Sequence, residues 1–327
     1  MANKSAQTDT LLWLKKQPGS LSLNEIHAAL PVSVPERTLR RWLADWADQG
    51  LVLRTGAKRS TRYLYRQRSV EPPFLHQVPA PHRASLLKQL RDLWTHTSTA
   101  LEGNTLTLGD THFILEQGLT ISGKPLKEHQ EIVGHARAID LIYQSLAGQL
   151  TQQQVFDLHK AVQSEVVTDI YKPIGGWKNE INGTYAVTSD NRQVFIEYAE
   201  PKEVPALMKQ LIAAINNAGE VSVDQAAQHY ARIHAGLVHI HPFWDGNGRM
   251  ARLLANIGLL KSGLPPLVIP VEQRRPYIQL LADYEIRVGQ LSRHTGVWPD
   301  EDALQAFTDF CARQYSLTME LVEQYLE

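Results

Sequence analysis

His241-Pro242-Phe243-Trp244-Asp245-Gly246-Asn247-Gly248-Arg249-Met250-Ala251-Arg252 decides how this chain is read. An apolar helical pattern leads into the segment and another leads out, with a polar, glycine-rich loop between them. Gly246 and Gly248 let the backbone come close to a ligand and adopt positive dihedrals. A helix beginning near Arg249 would turn its free amides and the positive end of its dipole on an anion, so these are the parts of a phosphate cradle. Arg249 and Arg252, three residues apart, share a helix face that suits the outer phosphates, leaving Met250, Leu253, Leu254 and Ile257 for the core. Asp245 is a hard oxygen ligand of the type that holds magnesium together with nucleotide phosphates. His241, whose unperturbed pKa lies near neutrality, is a candidate general base for an incoming hydroxyl.

Working outward, helical periodicity dominates from about His82. It predicts helices over His82–Leu101, Thr107–Gln117, Lys127–Leu146, Thr151–Gln163, Pro201–Ala218, Val223–His239, Arg249–Lys261 and three more toward the carboxyl end. Tyr185–Tyr198 interrupts this with apolar runs flanking the turn-prone Ser189-Asp190-Asn191, the pattern of one hairpin. The chain has 327 residues, 43% of them hydrophobic and 20% charged, the composition of an ordinary globular protein. Its single cysteine, Cys311, lies in an apolar helical stretch and reads as a core thiol; no intramolecular disulfide can form, and the cytoplasm is the expected compartment. Neither a signal-peptide core nor an apolar run of about 20 residues is found, so neither secretion nor a membrane span is expected.

Residues 1–70 carry 12 Lys/Arg against 5 Asp/Glu, a net of +7 that leaves −8 for the rest, so the two parts should meet different partners. They read as a short helix Thr10–Lys16 ended by Pro18-Gly19, a second helix opened by the capping box Ser22-Leu23-Asn24-Glu25, and a third from Pro35 to about Gln49 stopped by Gly50. Leu39, Trp42, Leu43 and Trp46 form the core stripe of the third helix, and Arg37, Arg40 and Arg41 lie off it. Leu51–Arg54 and Arg62–Tyr65 then flank a loop with Lys58 and Arg59 near its tip. The order resembles a small winged helix-turn-helix of α+β type. Its basic residues suit DNA phosphates, and they equally suit a solvated face that docks protein. A linker with Pro72-Pro73, Pro79 and Pro81, residues 71–84, is expected between this domain (1–70) and the remainder (85–327).

The string 241–252 matches at every fixed position the signature H-P-F-x-[DE]-G-N-G-R-x-x-R of the Fic (filamentation induced by cAMP) family, and the resemblance runs from about Leu93 to the carboxyl terminus. Leu158-His159, Gly175-Gly176-Trp177-Lys178 and the Tyr185–Tyr198 hairpin look like the helix, turn and flap that precede the loop in Fic domains; Lys178 departs from the arginine usual there. The resemblance implies a mainly α fold, all-helical with one hairpin flap, and a protein adenylyltransferase that moves AMP from ATP to a Tyr, Thr or Ser hydroxyl. His241 would deprotonate that hydroxyl and Asp245 would hold Mg2+. Gly246, Asn247 and Gly248 would surround the α- and β-phosphates, with Arg249 and Arg252 on the β- and γ-phosphates. The flap would pair with an extended stretch of the target. His159, His234 and His239 fall on no catalytic position of the family and read as packing or solvent residues.

Upstream, Ser98-Thr99-Ala100-Leu101-Glu102-Gly103-Asn104 resembles the inhibitory motif [ST]-x-x-x-E-[GN] of one Fic subclass. It implies an inhibitory helix over about 85–102 whose Glu102 pairs with Arg252 in place of the γ-phosphate, with Ser98 as the other motif residue. Phosphoryl transfer of the Doc type is disfavoured by Gly248, where that branch has lysine. Removal of AMP by the same site, and a DNA-binding regulator that uses the Fic domain as a nucleotide sensor, stay open as alternatives. The partners expected are a hydroxyl-bearing target protein, DNA at residues 1–70 and a second copy of the chain.

Overall fold

The computed structural model describes residues 2–15, 17, 19–48, 51–56, 61–65, 71–163, 172–188 and 192–326. The chain divides into two compact units, Met1–Ser69 and Val70–Glu327.

In the first unit α1 (Ala2–Lys15) begins eight residues earlier than its apolar pattern implies, because nothing before Leu11 breaks a helix. Ser22 caps α2 (Leu23–Ala29) in a full capping box with Glu25. The third helix, α3 (Glu36–Asp48), buries Leu39, Trp42, Leu43 and Trp46. Its expected stop at Gly50 falls outside the described residues, as do Pro18 and the loop residues Lys58 and Arg59. Strands β2 (Val52–Thr55) and β3 (Arg62–Tyr65) pair antiparallel with Val52 opposite Tyr65. A two-residue strand β1 (Leu21–Ser22), which no periodicity reveals, pairs Leu21 with Tyr63 and makes a three-stranded sheet in the order β1-β3-β2.

The second unit is helical. Residues 71–84 are not the expected linker: Pro73–Gln77 form a 3-10 turn whose Phe74 and Leu75, with Val78, are buried in the main core, and α4 (Ala80–Ala100) starts at once behind it. Prolines there mark a turn followed by a helix start, positions where a missing amide hydrogen costs nothing. Then follow α5 (Leu108–Gln117), α6 (Leu126–Ser145) and α7 (Gln152–Val162). The hairpin β4 (Gly183–Val187) and β5 (Gln193–Glu197) pairs Tyr185 with Phe195; its expected turn, Ser189-Asp190-Asn191, lies outside the described residues. Ala186 and Ile196 point inward, while Tyr185, Val187 and Phe195 are exposed on the other face.

Next come α8 (Val204–Asn216) and the central α9 (Val223–Ile240), exposed at its start, mostly buried from Tyr230 onward, and packed by α8 and by α13 (Gln305–Glu323). The helix read as Arg249–Lys261 is two, α10 (Asn247–Leu254) and α11 (Ile257–Lys261). The break is at Asn256, whose buried amide donates to the Arg252 and Leu267 carbonyls and accepts from the Leu267 amide, drawing the following segment against the helix. Toward the carboxyl end, α12 (Arg274–Val288) and α13 are the described α-helices, with 3-10 turns at Val271–Gln273 and Asp302–Leu304, where three helices were expected. Cys311 is fully buried in α13. No helix among the described residues is long and apolar enough to cross a membrane.

Candidate active site

Helix α9 ends on His241, the only described non-glycine residue with positive φ (51°), and this turn starts the loop. Its imidazole Nδ1 lies 3.1 Å from the Val238 carbonyl. A carbonyl only accepts, so Nδ1 carries the hydrogen and Nε2 keeps its lone pair for a proton. The Tyr198 ring stacks on the imidazole at 3.8 Å and 5°, fixing its plane. Burial, with a smaller contribution from the Lys178 ammonium, lowers the His241 pKa to about 3 against the opposing hydrogen bond to Val238. The imidazole is therefore neutral at physiological pH, the form a base requires.

Side chains bonded to main chain hold the loop. Asn247 clasps Phe243 at both ends, accepting from its amide (3.0 Å) and donating to its carbonyl (2.9 Å). Asn182, before the hairpin, also donates to the Phe243 carbonyl (3.2 Å) and accepts from Lys178 Nζ (2.5 Å), while the Lys178 amide donates to the Pro242 carbonyl (2.8 Å). Burial brings the Lys178 pKa down to about 8. His159 accepts at Nδ1 from the Gly175 amide (2.9 Å), so its Nε2 donates to the Asp245 carbonyl (3.0 Å), and its ring stacks on Phe243 at 3.8 Å.

Gly246, at φ 80°, caps α10, and the first α-helical bond runs from Met250 to its carbonyl. The amides of Asn247, Gly248 and Arg249 thus form the donor-rich first turn of a helix. Asp245 lies beside them with its side chain 58% exposed; Oδ1 accepts from the Gly246 amide (2.6 Å), and Oδ2 is 3.6 Å from Arg249 Nη2. Although burial opposes ionisation, hydrogen bonding from Gln163, the Arg249 charge and the Gly246 amide together hold this carboxyl below the usual range. Among the described residues no three His, Cys, Asp or Glu side chains cluster as a metal cage. A single ionised carboxylate next to phosphate-binding amides does fit magnesium, which keeps waters and shares substrate phosphates.

Arg252 is 2% exposed and makes four guanidinium hydrogen bonds: Nε to Ser98 Oγ (3.0 Å), Nη2 to the Ser98 carbonyl (2.8 Å) and Glu102 Oε1 (2.5 Å), and Nη1 to the Tyr277 hydroxyl (2.9 Å). Burial works against its charge, but the Tyr277 oxygen and the Glu102 carboxylate hold its pKa above the ordinary value. The Glu102 carboxylate also fills the space over Gly248, where an added Cβ would collide with it. Thus the first turn of α10 has an acid seated on it.

The sequence-predicted residues Ser98, Glu102, His241, Asp245 to Gly248, Arg249 and Arg252 all lie along this loop and helix start. Two details go beyond the sequence reading. The Asn247 side chain belongs to the loop clasp, which leaves only its amide for an anion. Arg249 lies 3.4 Å from the Val162 carbonyl and 4.0 Å from Glu131, while Arg252 is held by Ser98, Glu102 and Tyr277. Of the two readings open for His159, His234 and His239, packing or solvent, all three are buried. The sequence reading misses what His159 holds, and it misses Asn182, Tyr198 and Tyr277 altogether. Only the position of Asn182 and Tyr198 at the two ends of the hairpin could have signalled them.

Residues 149–259 match the model of the Fic/DOC family. This chain carries a Fic domain. The protein adenylyltransferase fic-1 of Caenorhabditis elegans is 32% identical over 202 residues, 60% of this chain and 37% of that one. The protein adenylyltransferase Fic of Drosophila erecta is 36% identical over 188 residues, 56% and 35% of the two chains. The chain therefore spans little more than a third of the length of these relatives. Among solved structures, a Fic domain containing signaling protein from Bacteroides thetaiotaomicron is similar with a TM-score of 0.65 and 25% identity, over 78% of this chain and 96% of that one. A Fic-1 fragment from C. elegans shares the fold, with a TM-score of 0.56 and 23% identity over 98% and 82%. Within unit 1, Arg37, Arg40 and Arg41 are on the exposed side of α3, with Arg40 paired to Glu36 at 2.7 Å.

Proposed function

We propose that this chain transfers AMP from ATP to a hydroxyl of a target protein and that its own Glu102 restrains the reaction. The observation that carries the reading is the Glu102 carboxylate on Arg252, over Gly248, at the start of α10: a helix start built for an anion is covered by an internal one. The names of the matched relatives support the chemistry.

In this reading the target hydroxyl gives its proton to His241 Nε2 while its oxygen attacks the α-phosphorus. The bond from that phosphorus to the bridging oxygen breaks, and pyrophosphate leaves. The Asn247, Gly248 and Arg249 amides and the Arg249 guanidinium face the charge on the α- and β-phosphates. Arg252 takes the terminal phosphate once Glu102 withdraws. Asp245 would hold magnesium, whose role is to neutralise polyphosphate charge. The exposed face of the hairpin, Tyr185, Val187 and Phe195, is where an extended target segment would lie.

The test uses purified wild type, Glu102→Gly and Glu102→Gly/His241→Ala with magnesium and ATP labelled at the α- or γ-phosphate. Label from the α-position should appear on protein, rise in the first variant and vanish in the second. Label from the γ-position would overturn AMP transfer, and equal labelling by wild type and Glu102→Gly would overturn the restraint.

For unit 1 the proposal is a winged helix whose α3 enters a DNA groove. The exposed Arg37, Arg40 and Arg41 support it, with Lys58 and Arg59 as candidate wing contacts from the sequence. A gel-shift titration at about 0.15 M salt, with and without Arg40→Ala/Arg41→Ala, tests this; no shift in the wild type leaves protein docking as the role.

A further inference from the structure

Of the four hydrogen bonds on the Arg252 guanidinium, two come from α4, through the Ser98 hydroxyl and carbonyl, and a third from Glu102 in the turn just after it. The fourth is to Tyr277, on α12. A guanidinium only donates, so the Tyr277 oxygen accepts from Nη1, and its own hydrogen is free for His234 Nε2 at 3.0 Å. That makes His234 the tautomer protonated on Nδ1, with this nitrogen unpartnered among the described residues. Tyr277 and His234 are 5% and 0% exposed, and burial lowers the His234 pKa well below its usual value, so the ring stays a neutral acceptor. His234 belongs to the buried second half of α9, the helix that ends on His241 two turns later.

We infer that Tyr277 and His234 are positioning residues that keep the Arg252 guanidinium aimed at the terminal phosphate when α4 withdraws Glu102. Withdrawal of the end of α4 together with the turn after it would remove three of the four bonds at once. A buried arginine left with none would swing or lose its orientation, whereas one anchored through Tyr277 to α9 keeps a fixed distance to the base on the same helix. The Ser98 and Glu102 contacts therefore belong to the restrained state and the Tyr277 contact to both states. Nothing in the loop signature indicates this, because Tyr277 lies 25 residues beyond Arg252.

The inference rests on the reading of Arg252 as the terminal-phosphate ligand, and the experiment separates the two. The 327-residue chain carrying Glu102→Gly or Glu102→Gly/Tyr277→Phe is titrated by calorimetry with ATP and with ADP in the presence of magnesium. Glu102→Gly should bind ATP more tightly than ADP. Tyr277→Phe should cut that preference about tenfold, the size of one hydrogen bond to a charged group, and leave ADP affinity within about twofold. A preserved preference in the double variant overturns the positioning role, and so does an equal loss for both nucleotides, which is what a merely structural residue would give. No preference in Glu102→Gly itself overturns the Arg252 reading and the inference with it. If Tyr277→Phe does not fold, His234→Phe keeps Tyr277 but removes the acceptor of its hydrogen, and it should lower the same ratio.

Discussion

A methyl group at Gly248 should uncouple the restraint from the chemistry. The Cβ of Gly248→Ala would meet the Glu102 carboxylate and lie 3.1 Å from Arg252 Nη1, and Glu102, as the end of a flexible side chain, is the group able to move. Moving it breaks the charge-assisted bond to Arg252, worth about 1.5–3 kcal/mol when buried. Glu102 is 41% exposed on its side chain, so solvent screening reduces this to about 1–2 kcal/mol. Alanine in a helix in turn gains about 0.5–1 kcal/mol over glycine. With Glu102 present, Gly248→Ala should therefore be mildly destabilising. In the Glu102→Gly background the methyl meets no carboxylate and should stabilise, for a coupling of about 1–2 kcal/mol between the two sites. Denaturant unfolding of the four proteins measures it. AMP transfer should meanwhile stay low in both alanine variants, since the methyl intrudes where phosphate must approach the amides. A coupling near zero would refute the placement of Glu102 over Gly248, and high transfer by Gly248→Ala would refute the phosphate cradle.

With its pKa lowered to about 3, His241 is neutral well below pH 7, so kcat/KM for AMP transfer by Glu102→Gly should not fall with a midpoint near 6.5 as pH is lowered from 7 to 5; such a fall would mean an ordinary imidazole. Burial raises the Glu285 pKa from 4.5 to about 8. The folded state thus holds a proton that the unfolded chain releases, and stability that is full below about pH 4.5 is lost as pH rises to about 8. Glu285→Gln should accordingly gain on wild type over that window, by up to a few kcal/mol in unfolding free energy; parallel pH curves would show the carboxyl to be solvated. Removing the His159 donor by His159→Phe keeps a ring on Phe243 but frees the Asp245 carbonyl. It should reduce kcat at least tenfold with less than about 2 kcal/mol lost in stability, and unchanged kcat would make His159 a packing residue only.

The loop 241–252 and Glu102 were legible because each needs particular residue types at fixed spacing, and the helices were legible because their apolar stripes repeat along one face. Contacts between segments far apart in the chain were not. Tyr277 reaches Arg252 across 25 residues and His159 reaches Asp245 across 86, and neither carries a local pattern. The break at Asn256 depends on Leu267 being near, which no helical periodicity encodes. The proline-rich stretch at 72–81 misled for the opposite reason. Proline marks both linkers and helix starts, and the burial of Phe74 and Leu75 decides between them.

The five anchors of the loop, Lys178, Asn182, His159, Asn247 and the turn at His241, act on its main chain, not on the side chains of Trp244 or Asp245. The geometry of the segment is therefore stored separately from the groups it displays. In a saturation mutagenesis experiment position 245 would then register a chemical requirement, while 159, 182 and 247 would register shape. The sets of tolerated residues would differ in kind: an isostere at 245 could be catalytically dead yet fully folded, and few replacements of any sort would survive at the other three.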